Sequence, residues 1–285
     1  MSKIQAAIRT AKDRRGKSRK ETSASTVSDT QEAANNGSEA AGPRLSIDEL
    51  PQVQLDWELM KENRILTHEN EERHPVQGAY RMLRTRLMQN MRTNNWRVLG
   101  ISSIGENEGK TFTAVNLAIS IAAEFGQEAV LVDLDLQKPS IYKCLGVDES
   151  DITGMKEYLD VESLDLADIA VNPGIDRLGL LLGTEPHPRS SDVLASDRGA
   201  ELFAELRGLF SEKAIIIIDL PPLLAADDAL AVAPMLDALL LVVAEGQAQR
   251  RDVLEARHML ESFNVIGTVL NKSVEKDSRR TSYYY

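Results

Sequence analysis

The sequence predicts an α/β fold: a doubly wound, mostly parallel sheet flanked by helices, with a disordered N-terminal tail. Two observations predict it. Short runs of Ile, Val and Leu recur without polar alternation, in VLGISS (98–103), AVLVDLD (129–135), AIIIIDL (214–220) and ALLLVV (238–243), as in strands covered on both faces. Stretches of helical period separate these runs, and strand–helix–strand units of this kind wind right-handedly into parallel sheets. Ligands of such sheets gather beyond the carboxyl ends of the strands.

Taken in order, residues 1–20 hold eight Lys and Arg against one acid, Asp13. Residues 16–48 are dominated by Ser, Thr, Ala, Gly, Asn and charge. With almost nothing to bury, 1–48 reads as a basic and then low-complexity disordered tail. A mixed, charged connecting segment (49–76) leads into the main domain (77–275). That domain opens on a helix from Gly78 to Met91, with Tyr80, Leu83, Leu87 and Met91 on one face. VLGISS then precedes a helix over 111–124, and AVLVDLD follows it. RLGLLLG (177–183) precedes a helical stretch from Ser191 to Phe210, which leads to AIIIIDL. ALLLVV precedes a helix over 248–262, and VIGTVLN (265–271) completes the sheet. A flexible tail (276–285) ends the chain.

Composition narrows the function. The net charge of −11 over 285 residues argues against nucleic-acid binding by the folded part. Cys144 is the one cysteine, so no internal disulfide can form, which suits a reducing compartment. Its apolar neighbours mark it as a buried small side chain rather than a nucleophile. His68, His74, His187 and His258 show no metal-ligand spacing. No segment approaches the roughly 18 apolar residues of a membrane span, and the N-terminus is too polar for a signal peptide. A soluble cytoplasmic protein is expected.

The chemistry concentrates at three strand ends. GENEGKT (105–111) follows the first strand and opens a helix. Read backwards from that helix, Gly109-Lys110-Thr111 closes a phosphate-binding loop. Gly109 lets the backbone approach phosphate, Lys110 reaches the β/γ-phosphates, and the Thr111 hydroxyl ligates Mg²⁺. The helix start turns free N–H groups and partial positive charge toward the anion. The second strand ends in Asp133-Leu134-Asp135, and AIIIIDL ends in Asp219-Leu220-Pro221-Pro222. A polyphosphate with Mg²⁺ needs this set: backbone donors and a cation for phosphate, carboxylates and a hydroxyl for the hard metal. ATP and Mg²⁺ are therefore the expected cofactors.

The three motifs, in this order, resemble the bacterial tyrosine kinases (BY-kinases) of capsule and exopolysaccharide synthesis, within the P-loop NTPases. In that family they are the Walker A loop, the A′ motif and the Walker B strand. The resemblance runs from about Gln77 to the C-terminus. It includes the arginine-bearing helix AYRMLRTRLM (79–88), Lys138-Pro139, GMKEYL (154–159), LLGTEPHPRSSDVL (181–194) and VLNKS (269–273). The opening MSKIQAAIRTAKDRR is similar to kinases linked to exosortase-type polysaccharide systems. The loop departs from the family at Asn107, where glycine is usual, and at Glu106, where proline is usual. Asn is the non-glycine residue best able to take a left-handed backbone, at a cost on the order of 1 kcal/mol, so the loop can still close. Glu106 and Glu108 add negative charge near the polyanion.

The resemblance implies an autokinase that transfers the ATP γ-phosphate to Tyr283, Tyr284 and Tyr285 of a neighbouring subunit. Gly105 to Phe112 would hold the nucleotide, and Asn271 would read the adenine. Lys110, Asp133, Asp135 and Asp219 would carry catalysis. Asp133 or Asp135 would serve as the base that relieves the phenol of its proton, with the other and Asp219 on the Mg²⁺. Arg81 and Arg84 would make oligomer contacts in a homo-oligomer, although Gly78 stands where that helix carries a glutamate. Gln137 stands where the A′ motif has arginine. These departures leave a second reading open, a catalytically weak ATP-binding regulatory partner. A third, an ATP switch like the Min and Par proteins, lacks its signature lysine, for which Gly105 stands here. The implied partner is a membrane-spanning polysaccharide chain-length protein. It would hold the chain at the inner face of the membrane, so that membrane contact is indirect.

Overall fold

The structure is a computed structural model that describes residues 44–66 and 75–273. The basic arm and Tyr283–Tyr285 lie outside the described residues. After a single helical turn at Ile47–Glu49, the elements are α1 (Trp57–Glu62), α2 (Pro75–Asn94), β1 (Val98–Ser103), α3 (Lys110–Ala122) and β2 (Glu128–Asp133). Then come α4 (Ile141–Leu145), α5 (Met155–Asp160), α6 (Leu166–Ile169), β3 (Leu178–Leu181), α7 (Ser190–Leu194) and α8 (Asp197–Leu209). β4 (Ala214–Asp219), α9 (Asp228–Val232), β5 (Ala238–Ala244), α10 (Arg250–Leu260) and β6 (Val265–Asn271) complete them.

The six strands form one sheet in the order β3-β2-β4-β1-β5-β6, and every strand pair is parallel. The unalternating strands have a direct cause. Along β4, Ile215 and Ile217 belong to the core under α2 and α3, while Ile216 and Ile218 belong to the core under α8. Both faces are dry, so both sets of side chains are apolar. On α2, Tyr80, Leu87 and Met91 are buried as the period requires.

Three expectations change. The helix expected from Ser191 to Phe210 is two helices. Ser196 takes an extended backbone and its side chain caps α8 by accepting from Arg198 N; a local cap outweighs continued helical period here. The strand expected to reach Asp135 ends at Asp133, leaving Asp135 in the following turn. Residues 44–66, divided in the sequence reading between tail and connector, join the core. Ile47, Met60 and Ile65 are buried, and Val53 N donates to Asn172 O. The apolar residues of this stretch follow no single helical or strand period, yet Ile47, Leu50, Val53, Met60, Ile65 and Leu66 are all buried against the domain.

Candidate active site

Sheet order makes the site. β4 lies between β2 and β1, so their carboxyl ends adjoin, and Asp133 of β2 is in register with Asp219 of β4. The loop after β1 comes down beside them into α3. Three motifs spread over more than a hundred residues of chain thus meet on one rim.

The loop is braced from several sides. Gly109 has φ +95°, and a Cβ there would overlap the Asn271 amide; only glycine fits. Asn107 does adopt the left-handed backbone, at φ +59°. Asn271 Nδ2 donates to Glu108 O at 2.8 Å, and Lys272 Nζ donates to Asn107 O at 2.5 Å, so the end of β6 clamps the loop. The two loop glutamates do not point free charge at the cleft, contrary to expectation. Glu108 is buried, its carboxylate accepting from Ile104 N at 2.9 Å. Burial raises the Glu108 carboxyl above its ordinary pKa. Glu106 pairs with Lys138 at 2.5 Å.

Lys110 occupies the centre. Its ammonium lies 2.7 Å from Asp135 and 3.4 Å from Asp219, and Thr111 Oγ1 donates to Asp219 at 2.6 Å. Burial alone would lower the lysine pKa, but the carboxylates of Asp219 and Asp135 hold it above its usual value. Asp219 is fully buried and raised by desolvation, against the pull of Lys110 and Thr111. Asp133 is also fully buried. Its Oδ2 accepts from the N–H groups of Ser140 and Ile141, both at 3.1 Å, and its Oδ1 has no hydrogen-bond partner. Burial and the neighbouring Asp219 push its carboxyl up to about 8, which favours its protonated form relative to an ordinary carboxylate.

Above these groups opens a cleft of about 520 Å³, floored by Gly109, Lys110, Thr111 and Asp135 and walled on one side by Pro221 and Pro222. A magnesium–polyphosphate fits this donor set. The glycine cradle and the 13-residue α3 offer backbone N–H groups, Lys110 offers a cation, and Thr111 and the aspartates offer oxygen. Among the described residues, no three His, Cys, Asp or Glu side chains form a ready-made metal cage. Magnesium here would take most of its ligands from phosphate and water.

Other predicted residues fall less centrally. The Phe112 ring packs edge-on against Tyr80, with centroids 6.2 Å apart, away from the cleft. Arg84 is committed within the chain, donating to Ser120 O at 2.7 Å and lying 3.3 Å from Glu124, whereas Arg81 is exposed. Cys144 is half-buried, with burial and the nearby aspartates pushing its thiol up to about 11, which disfavours the thiolate a nucleophile needs. His187 packs as expected, between Asp160 and Arg189 N. Sequence reasoning missed Ser140, the Pro221–Pro222 wall as lining, and Lys272. For Ser140 and Lys272 a signal existed, each being within two residues of a residue already singled out.

No family model matches the chain. Curated relatives do. The tyrosine-protein kinase CpsD of Streptococcus pneumoniae serotype 4 is 32% identical over 180 residues, covering 62% of this chain and 76% of that protein. The chain is a bacterial tyrosine kinase of this family. The succinoglycan biosynthesis transport protein ExoP of Rhizobium meliloti is 33% identical over 181 residues, covering 62% of the kinase described here but 22% of ExoP. Among solved structures, the kinase domain of the Escherichia coli tyrosine kinase ETK superposes with a TM-score of 0.65 at 25% identity, covering 80% of this kinase and 90% of that chain. The family places this kinase among the P-loop NTPases. No helix of the described residues is long and apolar enough to cross a membrane.

Proposed function

We propose that the kinase binds ATP with Mg²⁺ in this cleft and transfers the γ-phosphate to Tyr283, Tyr284 and Tyr285 of a neighbouring subunit. The observation that carries the reading is the convergence of Lys110, Thr111, Asp135 and Asp219 beneath an open cleft. When bound, magnesium would neutralise the charge that develops on the transferring phosphoryl group. Thr111 and Asp219 would hold it, directly or through water. Gly109 and the start of α3 would orient the phosphates. Lys110 would leave Asp135 for the β/γ-phosphates, which frees the Asp135 carboxylate to take the phenol proton. Asp135 suits that role because it lines the cleft, whereas Asp133 is fully buried away from the lining, its Oδ2 taken by the N–H groups of Ser140 and Ile141. Asn271 would meet the adenine, with one of its N–H groups already given to the loop.

The relatives' names support a role in capsule or exopolysaccharide production. In that role a membrane-spanning chain-length protein would be the activating partner, and it would hold the kinase at the inner face of the membrane. Arg81, exposed on α2, is the group available for a homo-oligomer contact. The test is incubation of the purified chain with ATP and Mg²⁺, then mapping of phosphotyrosine by mass spectrometry. Phosphate on the three terminal tyrosines is expected. A chain that binds ATP but stays unmodified, with its membrane partner present, would favour the regulatory role instead.

A further inference from the structure

Behind the cleft lies a carboxylate that the reaction does not use. Asp228, the first residue of α9, is fully buried, and neither carboxylate oxygen has a hydrogen bond of good geometry. The side chains close enough to donate to it are Ser190, on α7, and Gln137, in the turn after β2. Buried polar groups without partners are rare and costly, and a buried charge without a cation is costlier still. Gln137 lines the cleft, is exposed on its outer side, and stands two residues beyond Asp135 in the same turn. An ionised carboxylate can only accept, so a tie to Asp228 requires the Gln137 amide to present its NH₂.

We propose that Asp228 is a positioning residue: through Gln137 it ties the Asp135 turn to the segment after β4, and so sets where Asp135 stands over Lys110. The three anchoring points belong to three different elements. Gln137 sits on the A′ turn, Ser190 on α7 and Asp228 on α9, and α7 and α9 pack together. Shortly before Asp228, Pro221 and Pro222 wall the cleft. The tie therefore joins the two sides of the cleft at its back. In this chain it is made by a neutral amide, so it is slack. A guanidinium at position 137 would neutralise Asp228 with charge-assisted hydrogen bonds and tighten it.

This inference rests on the kinase reading for its catalytic part alone, and the experiment separates the two. Melting temperatures are measured for the full chain, Gln137→Arg, Asp228→Asn and the double variant. Gln137→Arg should raise the melting temperature by several degrees in the parent and by none with Asp228→Asn. An equal shift in both backgrounds, or none in either, would overturn the tie. Phosphotransfer is then followed at varied ATP. Asp228→Leu, which keeps the side chain's size and removes the acceptor, should lower kcat about tenfold while leaving the KM for ATP within twofold. Gln137→Met, which keeps the side chain's size without its donor and leaves the buried Asp228 in place, should do the same. Gln137→Arg should keep or raise kcat. Unchanged kcat in both weakened variants would overturn the positioning role. Absence of transfer from the parent itself would count against the kinase reading, while the melting cycle still decides the tie.

Discussion

Replacing Gly109 by alanine tests how the phosphate loop is held. Its backbone at φ +95° is one that L-residues enter only at a cost, on the order of 1–2 kcal/mol. The added Cβ would overlap Asn271 Nδ2, so that amide must leave Glu108 O, now 2.8 Å away. The lost hydrogen bond is worth about 1 kcal/mol. Together these give about 2–3 kcal/mol, or roughly 30- to 150-fold in the population of closed loop. Asn271→Ala alone should cost about 1 kcal/mol. In that background the overlap is gone and the bond already lost, so Gly109→Ala should cost only the backbone strain. The double variant therefore falls short of the sum by about 1 kcal/mol. Urea denaturation of all four proteins measures the cycle, and titration with Mg-ATP shows whether affinity follows. Additivity within about 0.4 kcal/mol would refute the claim that Asn271 braces this glycine.

Asn107→Gly relieves a left-handed backbone that the loop already holds without ligand, at φ +59°, so it should raise stability by up to about 1 kcal/mol and leave Mg-ATP affinity unchanged; a loss of stability in urea denaturation would count against it. The Asp133 carboxyl, pushed from 3.8 up to about 8 by burial beside Asp219, binds its proton more tightly in the native than in the unfolded chain. Its contribution to stability is thus full below pH 3.8 and is lost as pH climbs through the window up to about 8. Denaturation profiles of the parent should slope downward across that window and flatten in Asp133→Asn; equal slopes would contradict the assignment. Replacing Tyr283, Tyr284 and Tyr285 by Phe should abolish the phosphotyrosine signal while leaving ATP affinity unchanged, and persistent signal would place the acceptors elsewhere.

The sheet was legible because burial on both faces leaves only apolar residues, and a run such as AIIIID can be little else. The site was legible because Gly-Lys-Thr and two aspartate motifs each fall where a strand ends. Pattern could not show the direction in which side chains turn. Glu106 and Glu108 read as charges facing the phosphate, but Lys138 takes one and the loop's own N–H groups take the other. Asp133 and Asp135 look alike in Asp-x-Asp and both are buried, yet with the strand stopping at Asp133 only Asp135 reaches the cleft lining. Ile47, Met60 and Ile65 were hidden for the opposite reason. They sit in a mixed, charged stretch with no helical or strand period, and a partner surface from distant chain must fold before their burial makes sense. Asp228 gave no signal beyond an acid at a helix start. Its isolation exists only in three dimensions.

The central claim is that one triphosphate with magnesium sits over Lys110 on the rim shared by β1, β2 and β4. Calorimetric titration of Mg-ATP into the parent and into Lys110→Met tests it directly, with circular dichroism to confirm that the variant is folded. The parent should give a saturable heat of binding at one site, and the variant should give none. Equal heats from the two proteins, or no binding by the parent, would contradict the account.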